Sequence, residues 1–130
     1  MSQENDAVRD KEKKSEKIPL LFDDCEAVEE FAKRLIPKHH PHLGSANIRY
    51  ICRNVAAKRS GKPVSGNVYK MTGKWAFLTG RDLIVEVALE VWNDLEPNQR
   101  LALVDHLLTR IVGEESEENG MMKYTIVHPE

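Results

Sequence analysis

The sequence has no apolar run long enough to cross a bilayer, which excludes a helical membrane anchor. Its first residues are too polar for the apolar stretch of a secretory signal, so the expected compartment is the cytoplasm. Cysteine is scarce: Cys25 and Cys52 are the only two. Two thiols exclude a disulfide scaffold, and in a reducing compartment they are expected to be free and buried. There is no glycine-rich phosphate loop, nucleophile elbow, C-x-x-C pair or kinase signature, so no nucleotide-hydrolysing or covalent chemistry announces itself by a short motif. The most localised absence is of acid. Between Phe31 and Arg81 there is not one Asp or Glu.

What is present describes one soluble, globular domain. The chain has 130 residues, 41% of them hydrophobic and 31% charged. A net charge of −2 conceals a division. The acid-free stretch carries Lys33, Arg34, Lys38, Arg49, Arg53, Lys58, Arg59, Lys62, Lys70, Lys74 and Arg81. From Asp82 onward the sign reverses, towards the run Glu114, Glu115, Glu117 and Glu118. Such blocks either form a polyanion-facing surface or lie together in the fold and neutralise each other.

Periodicity divides the chain into elements. Residues 1–17 alternate acids and bases with almost nothing to bury, and are expected to be a disordered charged tail before a single domain over 18–130. Asp23 or Asp24 resembles an N-cap, and Val28, Phe31, Ala32 and Leu35 make a one-sided stripe, predicting a helix to Ile36 that Pro37 stops. The following KHHPHLGS reads as a solvated loop, its histidines lacking a nearby acid or thiol at ligand spacing. Strands are predicted over Ala46–Cys52 and Val64–Lys70, joined as a hairpin through KRSGKP. GKWAFLTG fits a loop or short turn, Leu83–Val87 a well-buried strand, and Val91–Trp92 a helical turn.

The stretch Leu95–Glu115 predicts a second helix. Pro97 stands at its first position, Gln99 at a capping-box position, and Gly113 where a helix stops. Leu101, Val104, Leu107, Leu108 and Ile111 form its apolar face, with His106 and Arg110 on the margin. Glu114–Gly120 reads as a loop and Met121–Val127 as a last strand. The sum is an α+β domain: two main helices on a three- to four-stranded mixed or antiparallel sheet.

With these pieces in order, the chain resembles the putative phage metallopeptidase family, small zincin-like domains of bacteriophages and prophages. The resemblance runs from about Phe22 to the end and is carried by FAKRLIPKHHPHL, ANIRYICRN, SGKPVSGNVYKM, LTGRDLIVEVALEVW, LEPNQRLALVDHLLTRIVGEE and MMKYTIVHP. It implies a zincin-like fold and a helix of the H-E-L-C-H kind, in which two histidines one turn apart hold zinc and a glutamate activates its water. Residue by residue, only His106 matches. Leu107 stands at the base position and Arg110 at the second-ligand position. Leucine accepts no proton, and a guanidinium repels a metal cation that it cannot ligate. Loss of a general base alone costs about 10²- to 10⁴-fold in rate.

The resemblance and these departures imply a catalytically inactive, metallopeptidase-like phage protein that works in the cytoplasm of a bacterial host. It is expected to have no cofactor and to act by binding nucleic acid or a nucleic-acid-handling host protein, as an anti-defence inhibitor would. The candidate binding residues are Arg49, Arg53, Lys58, Arg59, Lys62, Lys70, Lys74, His106 and Arg110, with Tyr50, Tyr69 and Trp75 interleaved as rings that either stack on bases or fill the core. The alternative is a divergent zinc hydrolase using His106, Glu115 and His128.

Overall fold

The computed structural model describes residues 18–127; the expected tail and His128 lie outside the described residues. The elements in chain order are β1 (Phe22–Asp24), α1 (Glu26–His39), β2 (Ile48–Arg53), β3 (Lys58–Arg59), β4 (Lys62–Pro63), β5 (Gly66–Lys70), α2 (Gly73–Thr79), β6 (Leu83–Ala88), α3 (Leu89–Trp92), α4 (Pro97–Thr109), β7 (Ile111–Glu115) and β8 (Met122–Ile126). The fold is α+β, with a main sheet ordered β1-β2-β6-β5. Among the described residues, no helix is long and apolar enough to cross a membrane.

The sheet is mixed. β2 and β6 run parallel, in register from Ile48 opposite Leu83 to Arg53 opposite Ala88, while β1 and β5 flank them antiparallel. The predicted hairpin between β2 and β5 does not form. β6 lies between them, because its run of Leu83, Val85 and Val87 buries best at the sheet centre. KRSGKP instead folds on itself. Arg59 pairs with Lys62 across a turn whose central residues, Ser60 and Gly61, have φ of 52° and 77°. Two positive φ values are the signature of a type I′ hairpin turn.

Alternation along the strands gives the sheet two unlike faces. Ile48, Tyr50 and Cys52 of β2, Leu83, Val85 and Val87 of β6, and Val68 of β5 point into the core. Against them pack Val28, Ala32 and Leu35 of α1 and Val104, Leu107 and Leu108 of α4. Arg49, Ile51, Arg53, Ile84, Glu86, Asn67 and Tyr69 fall on the other face. Among the described residues, no helix packs on that face. Cys25 and Cys52 are free and buried as expected, and burial, followed by neighbouring Cys25, pushes the Cys52 thiol up to about 11.

Other boundaries also move. Asp23 and Asp24 lie in β1 rather than capping α1, whose N-cap is Cys25. Pro37 does not stop α1, which continues to His39. A proline in the last turn forfeits only one ladder bond, and the helix closes through His40 N–H donating to the Ile36 carbonyl. GKWAFLTG is helical, ending at Gly80 in the left-handed region. α4 has the expected capping box between Glu96 and Gln99 but ends at Thr109, and Gly113 belongs to β7. The β-branched Ile111 and Val112 favour a strand there. A Cβ on Gly113 would meet Met122 Cε at 2.8 Å and His42 Cδ2 at 3.1 Å, so a larger residue there would make the Met122 side chain move aside. The expected acidic loop is therefore partly strand, at Glu114 and Glu115.

Gly66 makes a comparable approach. A Cβ there would lie 2.8 Å from both the Glu86 carbonyl and Leu107 Cδ1, so α4 sits directly on β5. Leu107→Ala should destabilise by about 2–5 kcal/mol and Gly66→Ala by about 1–3 kcal/mol in urea denaturation. In the double variant the two should sum to less than their total, because shortening Leu107 removes one of the two clashes. Strict additivity would show that α4 and β5 are not in this contact.

Candidate functional site

The family-motif helix is best judged by what its residues touch. On α4, Leu107 is fully buried in the core, His106 is exposed, and Arg110 is half-buried at the C-cap with its Nε donating to the Val127 carbonyl at 3.2 Å. The position where a general base would stand thus faces the sheet. Among the described residues, no three His, Cys, Asp or Glu side chains converge as a metal ion requires. Glu115 stands at the end of β7, and His128 lies outside the described residues. The residues at the motif positions do not fit zinc.

Two other histidines are used structurally, contrary to the solvated loop expected of them. His40 is only 6% exposed, and its Nε2 lies 2.6 Å from Oδ1 of Asp105 on α4. With the carboxylate ionised, the ring nitrogen is the donor. His42 Nε2 meets the Ile111 carbonyl at 2.7 Å, at the start of β7. The loop after α1 is therefore pinned to both ends of the α4–β7 junction. Sequence reasoning missed the acid because its partner is far away in the chain, and sequence spacing carries no signal for such a pair. A hollow of about 450 Å³ adjoins His40 and Asp105, and a larger one of about 470 Å³ lies between α1 and β2, but its only charged lining residues are Glu29 and Lys33.

The basic candidates divide into groups. Arg53, Lys58 and Arg59 line one notch of about 100 Å³ on the helix-free face of the sheet, together with Asn67, Tyr69 and Glu86. Lys62 stands opposite Arg59 on the same ribbon. Lys58, Arg59 and Lys62 are exposed. Arg49 lies on the same face, held by Asp24 at 2.8 Å; this contact keeps the Asp24 carboxyl below its ordinary range and raises Arg49. Lys70 and Lys74 are exposed at the other end of β5 and on α2. His106 and Arg110, on a helix that covers the opposite face, join neither group.

The rings divide as well. Tyr50 is core, and burial pushes its phenol up to about 12. Tyr69 is 39% exposed beside the notch, and Trp75 is exposed on α2 with Lys74 Nζ 5.3 Å from its ring centre. Burial, then the Glu86 charge, raises the Tyr69 phenol above its usual value, so it stays a donor at neutral pH.

Glu86 forms the floor of the notch and was not among the expected site residues. It is 7% exposed, with Tyr69 Oη donating at 3.3 Å and the Arg53 guanidinium in a longer ion pair, Nη1 at 3.9 Å. The signal was present in the sequence: one carboxylate inside the otherwise apolar run LIVEVA. A charge placed in a central strand is costly unless something pairs with it. Arg53 is meanwhile fixed by its Nε donating to the Val55 carbonyl at 2.6 Å and lies over the Phe22 ring.

A family model described as putative phage metallopeptidase matches residues 21–130. Comparison with curated proteins and with solved structures finds no significant match.

The two kinds of histidine should separate on substitution. Asp105→Ala strands a buried His40 without its acceptor and should cost about 1–3 kcal/mol in urea denaturation, whereas Asp105→Asn should recover part of that. His106→Ala, at an exposed position, should fall within about 0.5 kcal/mol of the parent. The reverse order would mean that His106 holds the fold.

Proposed function

Starting from the chain's membership of the putative phage metallopeptidase family, we propose that it is a member without working zinc-peptidase machinery that acts by binding nucleic acid. The observation that carries this reading is the sheet face on which, among the described residues, no helix packs: there Arg53 lies beside the exposed Lys58–Arg59–Lys62 ribbon and Tyr69, with Arg49 farther along the same strand. Long cationic side chains on a hairpin suit phosphates, and a partly exposed ring next to them suits a base. Lys70 and Lys74 make a separate positive group at the other end of β5 and on α2. His106 and Arg110 lie outside this interface and contribute at most to a separate contact.

The exposed apolar side chains of α2 favour a second reading. Trp75, Phe77 and Leu78 stand largely in solvent, Phe77 at 85% exposure, and such a group suits a protein partner. A nucleic-acid-handling protein of the bacterial host, bound in its cytoplasm, would fit, and an anti-defence inhibitor would act in this way. That role rests on the phage family and not on any one residue.

Binding of labelled single- and double-stranded DNA and RNA, followed by fluorescence anisotropy, tests the main reading. Affinity should fall steeply as salt rises, and the combined Lys58→Glu, Arg59→Glu, Lys62→Glu variant should both weaken it and flatten the salt slope, by about 0.7 to 0.9 per lost phosphate contact. No binding to any of these at low salt overturns the reading. Capture of a host protein through Trp75 and Phe77, with no nucleic-acid binding, would put the second reading in its place.

Metal analysis addresses the hydrolase alternative built on His106, Glu115 and His128. Protein purified without a histidine tag should carry far less than one zinc per chain. A full equivalent that disappears in His106→Ala would instead establish a metal hydrolase.

A further inference from the structure

We propose that the Glu86 notch reads guanine within a single strand. The inference rests on the nucleic-acid reading above and adds the base that the interface selects.

The notch has two ends of opposite character. Its floor is the Glu86 carboxylate, 7% exposed, whose described contacts are the long ones to Tyr69 Oη and Arg53 Nη1. An ionised carboxylate offers about four lone-pair sites, far more than one hydrogen bond and one long ion pair use. The rim carries Lys58 and Arg59, neither of which forms an ion pair with Glu86. A fitting ligand therefore brings hydrogen-bond donors at one end and negative charge at the other. A nucleotide does so if the edge of its base is rich in donors.

Among the common bases only guanine presents two adjacent donors, N1–H and the N2 amino group, spaced to meet the two oxygens of one carboxylate. Adenine and cytosine set a single amino group beside a ring-nitrogen acceptor, which a carboxylate repels. Thymine and uracil flank one N–H with two carbonyls. Asn67, in the lining, adds a complementary donor: its Oδ1 accepts from the Val68 N–H at 2.9 Å, and its amide nitrogen, which donates to Tyr69 Oη at 3.5 Å, has a second N–H for a carbonyl such as O6. Tyr69 offers a ring face beside it.

The same geometry selects a single strand. In a duplex, the guanine N1 and N2 donors are occupied by cytosine, and a notch of about 100 Å³ takes a base edge and not a base pair. The buried carboxylate also repels phosphate, so the strand backbone stays at the rim, where Lys58, Arg59 and Lys62 stand. Free guanosine monophosphate has the same edge but brings only one phosphate to that rim.

The test uses the whole chain and short oligothymidylate strands carrying one central guanine, adenine, cytosine or hypoxanthine, compared by anisotropy. The guanine strand should bind about tenfold tighter than the others, the size expected of one good bidentate base contact. Hypoxanthine keeps N1–H but lacks the N2 amino group, and should lose most of the gain. Glu86→Gln replaces one acceptor oxygen by a donor and should bind the guanine strand no better than the thymine strand. If Glu86→Gln does not fold, the hypoxanthine strand still decides, because it changes the ligand and not the protein. Equal binding of all four strands, or a guanine preference that survives in folded Glu86→Gln, overturns the inference while leaving the nucleic-acid reading standing. Absence of all strand binding at low salt overturns both. Guanosine monophosphate should compete poorly; competition at the strand's own affinity would overturn the strand as ligand.

Discussion

The parallel pairing of Ile48–Arg53 with Leu83–Ala88 is the contact on which the rest of the structure depends. Parallel neighbours cannot be joined by a tight turn, so the chain between them must leave the sheet and return. It does so by building the basic ribbon, β5 and α2 along the way. The pairing also brings the C-terminal ends of both strands to one edge. Arg53 thereby comes beside Ala88, Glu90 accepts from the Ala56 N–H at 2.5 Å, and the ribbon is set over Glu86. The charged notch is a by-product of how the sheet closes its longest connection.

Much of the architecture could be read from the sequence because burial imposes a period. Leu83, Val85 and Val87 marked the buried strand, and Val28, Ala32 and Leu35 the first helix. Pro97 and Gln99 marked the second helix start. What could not be read were choices between pairings of similar local quality. KRSGKP, with turn residues between strand-like flanks, serves equally well to join two long strands or to close on its own four neighbours, and only the tertiary competition for β6 decides. Gly113 failed as a helix stop for a related reason: glycine permits both a helix end and a close strand contact, and the second depends on Met122 and His42 arriving from elsewhere.

The candidate site was only half legible. Cations declare themselves by composition, and the acid-free stretch does place Arg49, Arg53, Lys58, Arg59 and Lys62 on or beside one face. His106 and Arg110 stand apart from them, at the helix that packs on the other face of the sheet. Reading α4 as a motif drew attention to its histidine, whereas its neighbour Asp105 makes the contact that matters to packing, with the buried His40. The helix keeps its part in the fold through Leu107 and Asp105, two positions with no ligand role in a zinc motif. Packing against the sheet and the contact with His40 are reason enough for this helix to be where it is.

Among the described residues, the small Lys58–Pro63 ribbon pairs only with itself, and both of its strands are exposed. Its turn is held by the backbone at Ser60 and Gly61, so the flanking side chains are not needed to form it. Charge on that ribbon can consequently be gained, lost or reversed with little cost to the folded state, unlike any change at Glu86 beneath it. Folding stability and the charge carried at the rim of the notch are thus set by separate residues, and the first does not constrain the second.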